Sequence, residues 1–216
     1  MKEAIFQKRQ SFYSLGEEIG NAVTHGVGAL LGIVGLLFMI LRATDVWQTV
    51  SGCVYGASVI VLFTMSCLYH ALTNPKAKHV MRVFDHSSIF LLIAGTYTPY
   101  TLVTLRGPLG WVLFSVVWAA AVLGITLNAV SIEKFKKFSM IAYIACGWCV
   151  VIAIVPLVRN LPLGGLLLLV LGGVLYTSGI WFYRQKTKCW FHMIWHLFVL
   201  FAAICQFLSI YCYVLG

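Results

Sequence analysis

The chain carries little charge, and less of one sign than of the other. Only 10% of its 216 residues are charged, and Asp and Glu number six against fifteen Lys and Arg. Soluble domains carry about 25% charged residues, so a water-exposed globular surface is excluded. Polar stretches long enough to form a separate domain are missing, as is any sequence repeat. The polar opening KEAIFQKRQSFYSLGEEIG has no short apolar core followed by a small-residue cleavage site, so no signal peptide is expected. Seven cysteines, an odd number lying mostly in apolar runs, make no disulfide framework and act there as small hydrophobes.

What the chain does have is apolar length. Hydrophobic residues make up 61% of it, and the mean hydropathy is +0.94. Runs of about 20 apolar residues indicate membrane-spanning helices. Seven such segments are legible, roughly at 22–41, 50–72, 84–105, 110–130, 138–158, 162–183 and 190–214. The expected fold is an all-α membrane protein, a seven-transmembrane helix bundle forming one domain over 22–215. Residues 1–21 precede it, and SFYSLGEEIG at 11–20, too polar to span, suits a short interfacial helix. Gly28 and Gly32 form a GxxxG, and Gly164, Gly165, Gly172 and Gly173 stand in the sixth segment. Small residues there serve close helix packing.

The net charge of +9 is unevenly placed. Lys2, Lys8 and Arg9 precede the first span. Lys76, Lys78 and Arg82 follow the second, Lys134, Lys136 and Lys137 the fourth, and Arg184, Lys186 and Lys188 the sixth. These twelve share one side, against Arg42, Arg106 and Arg159 on the other. The asymmetry predicts a cytoplasmic N-terminus and an extracytoplasmic C-terminus. Basic charge so arranged suits topology and anionic lipid, not a nucleic-acid groove.

This topology brings the costly residues together. The second span ends in SCLYH, the third begins FDHSS, and the seventh begins CWFHMIWH. Ser66, His70, Asp85, His86, His192 and His196 therefore fall within one or two turns of one depth, in the cytoplasmic leaflet. Residues four apart share a helix face, so His192 and His196 can point to one place, as can Ser66 and His70. Ionisable groups inside a membrane are costly and generally functional. Three neutral imidazoles can hold Zn²⁺ with a fourth position left for water, the layout of catalytic zinc. Asp85, reaching the metal through that water, would then orient it or take its proton. A lone membrane-interface histidine is more often structural padding, and HxxxH here lacks the glutamate of soluble HExxH proteases. The coincidence of three spans carries the expectation.

The remaining polar residues read more plainly. His25, in NAVTHG, suits a supporting role beside the site. His79 sits in a basic loop and is expected to be solvated. Glu17 and Glu18 suit capping of the first helix or pairing with loop lysines. Cys146 and Cys149 form a CxxC without a second thiol pair, so packing is the expectation. Asn128 and Gln206 suit hydrogen bonds between helices, and GTYTPY at 95–100 predicts a kink in the third span.

EEIGNAVTHGVGALLG, SCLYH, FDHSSIFLLIAGTYTPY and HMIWH together resemble the hemolysin III family, the bacterial branch of the progestin and adipoQ receptor (PAQR) proteins. The resemblance covers nearly the whole chain. It implies seven spans in a bacterial plasma (inner) membrane and zinc on His70, His192 and His196, with Asp85 and Ser66 approaching the metal or its water. The eukaryotic relatives include hormone-responsive receptors with suspected ceramide-hydrolysing activity. The expected function is therefore zinc-dependent hydrolysis of a lipid amide or ester in membrane-lipid homeostasis, with membrane lipids as partners. A receptor or membrane-state sensor with structural zinc is the alternative. A pore-forming cytolysin or a proton-coupled transporter fits less well, because the ionisable groups cluster at one end instead of tracing a path across.

Overall fold

The computed structural model describes residues 13–185 and 187–216, which are helical with no strand among them. The interfacial segment expected at 11–20 falls partly outside the described residues. From Leu15 on, the chain is already the first helix, α1 (Leu15–Arg42). A capping box starts it: the Glu17 N–H donates to Ser14 Oγ at 3.3 Å, and the Ser14 N–H donates to Glu17 Oε2 at 2.9 Å. This satisfies two N–H groups that a helix start otherwise leaves unpaired.

Short turns with their own caps connect the next helices. Asp45 Oδ1 accepts the Gln48 N–H at 2.9 Å and opens α2 (Val46–Ala71). Asn74 Oδ1 accepts the N–H groups of Lys76 and Ala77 at the start of α3 (Pro75–Pro99), where Pro75 occupies the first turn at no cost. The helix thus begins well before the apolar run read at 84–105. At the other end Pro99 is followed by a π-turn, Tyr100–Thr104. Nearby hydroxyls donate to main-chain carbonyls, Thr96 to Leu92, Thr98 to Ala94 and Thr101 to Tyr97, at 2.7 to 2.9 Å.

Next comes α4 (Pro108–Trp148), with one break at Ser131, whose φ −168° and ψ 105° are extended. The basic stretch read as a loop is helical beyond that residue. Arg82 Nη2 pairs with Glu133 Oε1 at 2.7 Å and ties α3 to the break. Ser139 Oγ donates to Asn128 Oδ1 at 2.8 Å, holding the two arms of α4 together. A 3₁₀ turn (Cys149–Ala153) leads to α5 (Ile154–Asn160), then α6 (Leu163–Arg184) and α7 (Phe191–Tyr213). Among the described residues, five stretches are long and apolar enough to cross a membrane. One of them, Pro108–Asn160, would measure about 80 Å as a straight rod, far beyond a hydrocarbon core of about 30 Å. The α3 helix falls outside the five because Lys76, Lys78, Arg82 and Asp85 dilute its apolar run.

Large apolar side chains cover the outside: Leu30, Leu37, Leu41, Val112, Val130, Ile152 and Leu167 are exposed. The interior mixes apolar and polar groups. Tyr55, Phe63 and Phe90 are fully buried, but so are Asn21, Asn128 and His196. Along α1 the buried positions Glu17, Asn21, His25, Gly28, Gly32, Gly35 and Met39 form one stripe, the spacing of a face packed on neighbouring helices. Polar staples join the helices. Tyr55 Oη donates to the Ala203 carbonyl at 3.0 Å, Gln206 Nε2 to that of Leu169 at 3.1 Å, and Ser209 Oγ to that of Gly165 at 2.8 Å. Each such bond contributes about 0.6 kcal/mol in a membrane protein.

The α1–α2 approach depends on Gly28, where a Cβ would fall 2.6 Å from the Phe63 ring. Gly28→Val is expected to destabilise the detergent-solubilised protein by about 1–3 kcal/mol, the usual cost of overpacking. Gly147→Ala, whose Cβ would meet nothing within 4 Å, is expected to cost nothing measurable. Thermal unfolding of the two variants checks this.

Candidate metal centre

Three helix ends converge where the polar residues cluster. His70 is on the last turn of α2, and His192 and His196 are on the first turns of α7. Their ligating nitrogens lie within 4.8 Å of one another. His192 Nε2 and His196 Nε2 stand 3.2 Å apart, close to the ~3.3 Å between two nitrogens bound to a tetrahedral zinc at about 2.05 Å. His70 Nε2 is buried and has no hydrogen-bond partner. A buried imidazole nitrogen without a partner costs free energy, and a metal removes that cost. The group can hold a metal ion. Among the described residues these three supply the converging His, Cys, Asp or Glu atoms, and no fourth joins them.

The opposite edges of the rings are held by the first turns of α1. His70 Nδ1 meets Glu18 Oε2 at 2.6 Å. His196 Nδ1 lies 3.2 Å from the Asn21 carbonyl, and donation to it leaves Nε2 as a lone pair. Tyr13 stacks on His192, with ring centroids 4.7 Å apart. Glu17 completes the arrangement, because its Oε1 accepts the Trp190 N–H at 2.7 Å. Trp190 has φ 65°, a left-handed conformation that costs a bulky residue about 1–3 kcal/mol. The Glu17 bond holds it there, immediately before α7.

Asp85 and Ser66, the other expected site residues, face the same region. The Asp85 carboxylate lies 3.2 Å from His86 Nδ1, and Asp85 and Ser66 line the same cavity. The carboxylate lies within electrostatic reach of His70 and His196, but its oxygens do not join the three nitrogens. His86 also places Nδ1 3.0 Å from the Arg82 carbonyl, and its own carbonyl accepts from Tyr143 Oη at 2.7 Å. His25 lies face to face on His196, centroids 3.6 Å apart, with neither ring nitrogen hydrogen-bonded. It packs against the His196 ring without joining the converging group. His79 is exposed at the start of α3.

A cavity of ≈ 340 Å³ opens beside these groups. Ser66, Asp85, His192 and His196 line one end, and Tyr100 and Gln206 the other. His196 and Gln206 are ten residues apart on α7, or about 15 Å, and the wall between them is mostly apolar, with Ile144, Leu166 and Val170. His70 does not line this cavity. With Glu18 and Lys78 it faces a separate depression.

Sequence reasoning placed Glu18 only as a cap or a lysine partner. Its Oε1 does pair with Lys78 Nζ at 2.8 Å, but the contact with His70 was missed. Glu18, Asn21 and His25 fall at i, i+3 and i+7, one polar face on an otherwise apolar helix, but that spacing does not say what the face meets.

Residues 13–207 match the family described as Haemolysin-III related. The chain is 43% identical over 202 residues to "Hemolysin-3" of Bacillus cereus, covering 92% of each chain. It is 40% identical over 204 residues to "Hemolysin-3 homolog" of Bacillus subtilis (strain 168), covering 93% of this chain and 96% of the other. The human "Monocyte to macrophage differentiation factor" is 27% identical over 203 residues, covering 91% and 84% respectively.

A metal held by the three histidines would couple to stability. Zinc added to chelator-stripped protein at a hundred times its Kd is expected to stabilise the fold by about 2.7 kcal/mol. The rise in Tm should vanish in His70→Ala, His192→Ala and His196→Ala and persist in His79→Ala. Thermal unfolding with and without zinc reads each case.

Proposed function

The chain belongs to the haemolysin-III related family, and from that membership and the three-histidine group we propose that it is an integral membrane zinc protein that hydrolyses a lipid amide or ester. The observation that carries this reading is a set of three histidines that no fourth His, Cys, Asp or Glu atom joins among the described residues, with His192 and His196 lining one end of a mostly apolar cavity. A structural zinc is closed by four protein ligands, and a catalytic one keeps a position open.

His70, His192 and His196 would hold the ion. When bound, zinc supplies Lewis-acid polarisation of a carbonyl and activation of water. The chain's own groups do the rest. Asp85 accepts a proton during attack and returns it to the leaving group, as a general base and then a general acid. His86, 3.2 Å from the Asp85 carboxylate, fixes its direction, and Ser66, on the same cavity wall, stabilises the oxyanion. The apolar wall between His196 and Gln206 takes the hydrocarbon part of the substrate and keeps bulk water out.

The membrane setting follows the same reading. The Ser131 break divides Pro108–Asn160 into two crossings, and α3 makes a further one despite its charged start, for seven in all. The twelve-to-three distribution of basic residues then sets the N-terminus and the metal site on the cytoplasmic side of a bacterial plasma membrane. A lipid substrate would meet the site at headgroup depth, which suits a role in membrane-lipid homeostasis. The apolar exterior suits a resident membrane protein better than a secreted pore-former. The receptor or sensor reading is less favoured, because structural zinc needs no cavity at its edge.

The test is a panel of lipid amides and esters presented to zinc-loaded protein in nanodiscs. Turnover is expected for the native chain. Asp85→Asn is expected to lower the rate by about 10²–10⁴-fold while keeping its zinc. No turnover across the panel by a protein shown to hold zinc would overturn the hydrolase reading.

A further inference from the structure

Glu18 lies outside the three-histidine group, yet it makes the shortest polar contact to any of its members. Its Oε2 is 2.6 Å from His70 Nδ1, and its Oε1 is 2.8 Å from Lys78 Nζ. Lys78 is held in turn, with Nζ 3.4 Å from the Leu72 carbonyl and 5.2 Å from the centre of the Tyr69 ring. Tyr69 packs on His70, centroids 4.6 Å apart. The carboxylate is thus fixed at both oxygens by groups from α2 and α3, although it belongs to α1.

This geometry selects one form of His70. A carboxylate oxygen only accepts, so a 2.6 Å contact needs the proton on Nδ1. The Asn21 amide nitrogen, which would favour the other tautomer by donating to Nδ1, is farther off at 3.4 Å. With Nδ1–H given to Glu18, the lone pair of His70 is on Nε2, the buried nitrogen that has no partner.

We propose that Glu18, braced by Lys78, is a positioning residue that fixes the tautomer and orientation of His70 and thereby sets the affinity of the metal centre. This rests on the reading of His70, His192 and His196 as metal ligands. The carboxylate raises the donor strength of Nε2 and holds the ring against rotation, and loss of such a partner generally costs 10–100-fold in metal affinity. Lys78 neutralises the partly buried carboxylate and occupies the oxygen that His70 does not use. It also makes the metal centre depend on the junction between α1 and the start of α3, which carries no ligand itself.

The experiment measures zinc affinity by competition with a chromophoric chelator on the purified full-length protein, the native chain beside Glu18→Gln and Lys78→Met. The expected result is a 10–100-fold weaker Kd in Glu18→Gln and a smaller loss in Lys78→Met, in variants that keep the helical fold. Unchanged zinc affinity in a folded Glu18→Gln would overturn the positioning role and leave the metal centre standing. No zinc bound by the native chain would overturn both. Should Glu18→Gln not fold, the ¹⁵N shifts of His70 in the native zinc-loaded protein decide. Protonated Nδ1 with unprotonated Nε2 supports the proposal, and the reverse overturns it.

Discussion

Two adjacent carboxylates at the start of α1 hold the histidine-bearing helices in place. Glu17 accepts the Trp190 N–H and sets where α7 begins, two residues before His192. Glu18 takes the His70 ring at the end of α2. Six residues carry a carboxylate in the whole chain, and two of them stand side by side at this one joint. Charged-group hydrogen bonds are worth about 1.5–3 kcal/mol, more than the apolar contacts between helices in lipid supply individually. The converging nitrogens therefore depend on a turn that carries no ligand itself.

The rest of the bundle accommodates that joint. The buried stripe of α1 runs from Glu17 through Asn21 and His25 to the glycines that admit Phe63 and Val59 of α2. One helix face thus changes from polar support near the histidines to close apolar packing farther along. The cavity beside α7 has a similar gradient: ionisable groups at one end, an apolar wall, then Tyr100 and Gln206. An amphiphile matches that order of surfaces better than a small polar solute does.

The histidine cluster was legible because its signals are local. The i, i+4 pair on α7 and SCLYH at the end of α2 place their residues by helix geometry, and short connections bring the ends together. Asn128 and Gln206 were legible as interhelical bonds for the same reason, since a buried amide must find a partner. Other features were not. The hydropathy window started the third span at 84, although Asn74 and Pro75 mark a helix start. The basic stretch after Ser131 looked like a loop, yet Lys134, Lys136 and Lys137 continue the helix, where long side chains keep their charge at a polar boundary. Glu18 was legible as a lysine partner but not as a histidine partner. That contact depends on α1 crossing the end of α2, which spacing within one helix does not reveal.

In the proposed site three imidazoles from two helices hold one ion. X-ray absorption at the K-edge of the metal that copurifies with the native chain tests it most directly. Imidazole nitrogen scatterers at about 2.0–2.1 Å and no sulfur are expected, with the metal lost in His70→Ala. Sulfur scatterers at about 2.3 Å, or an oxygen-only shell, would place the metal elsewhere and contradict it.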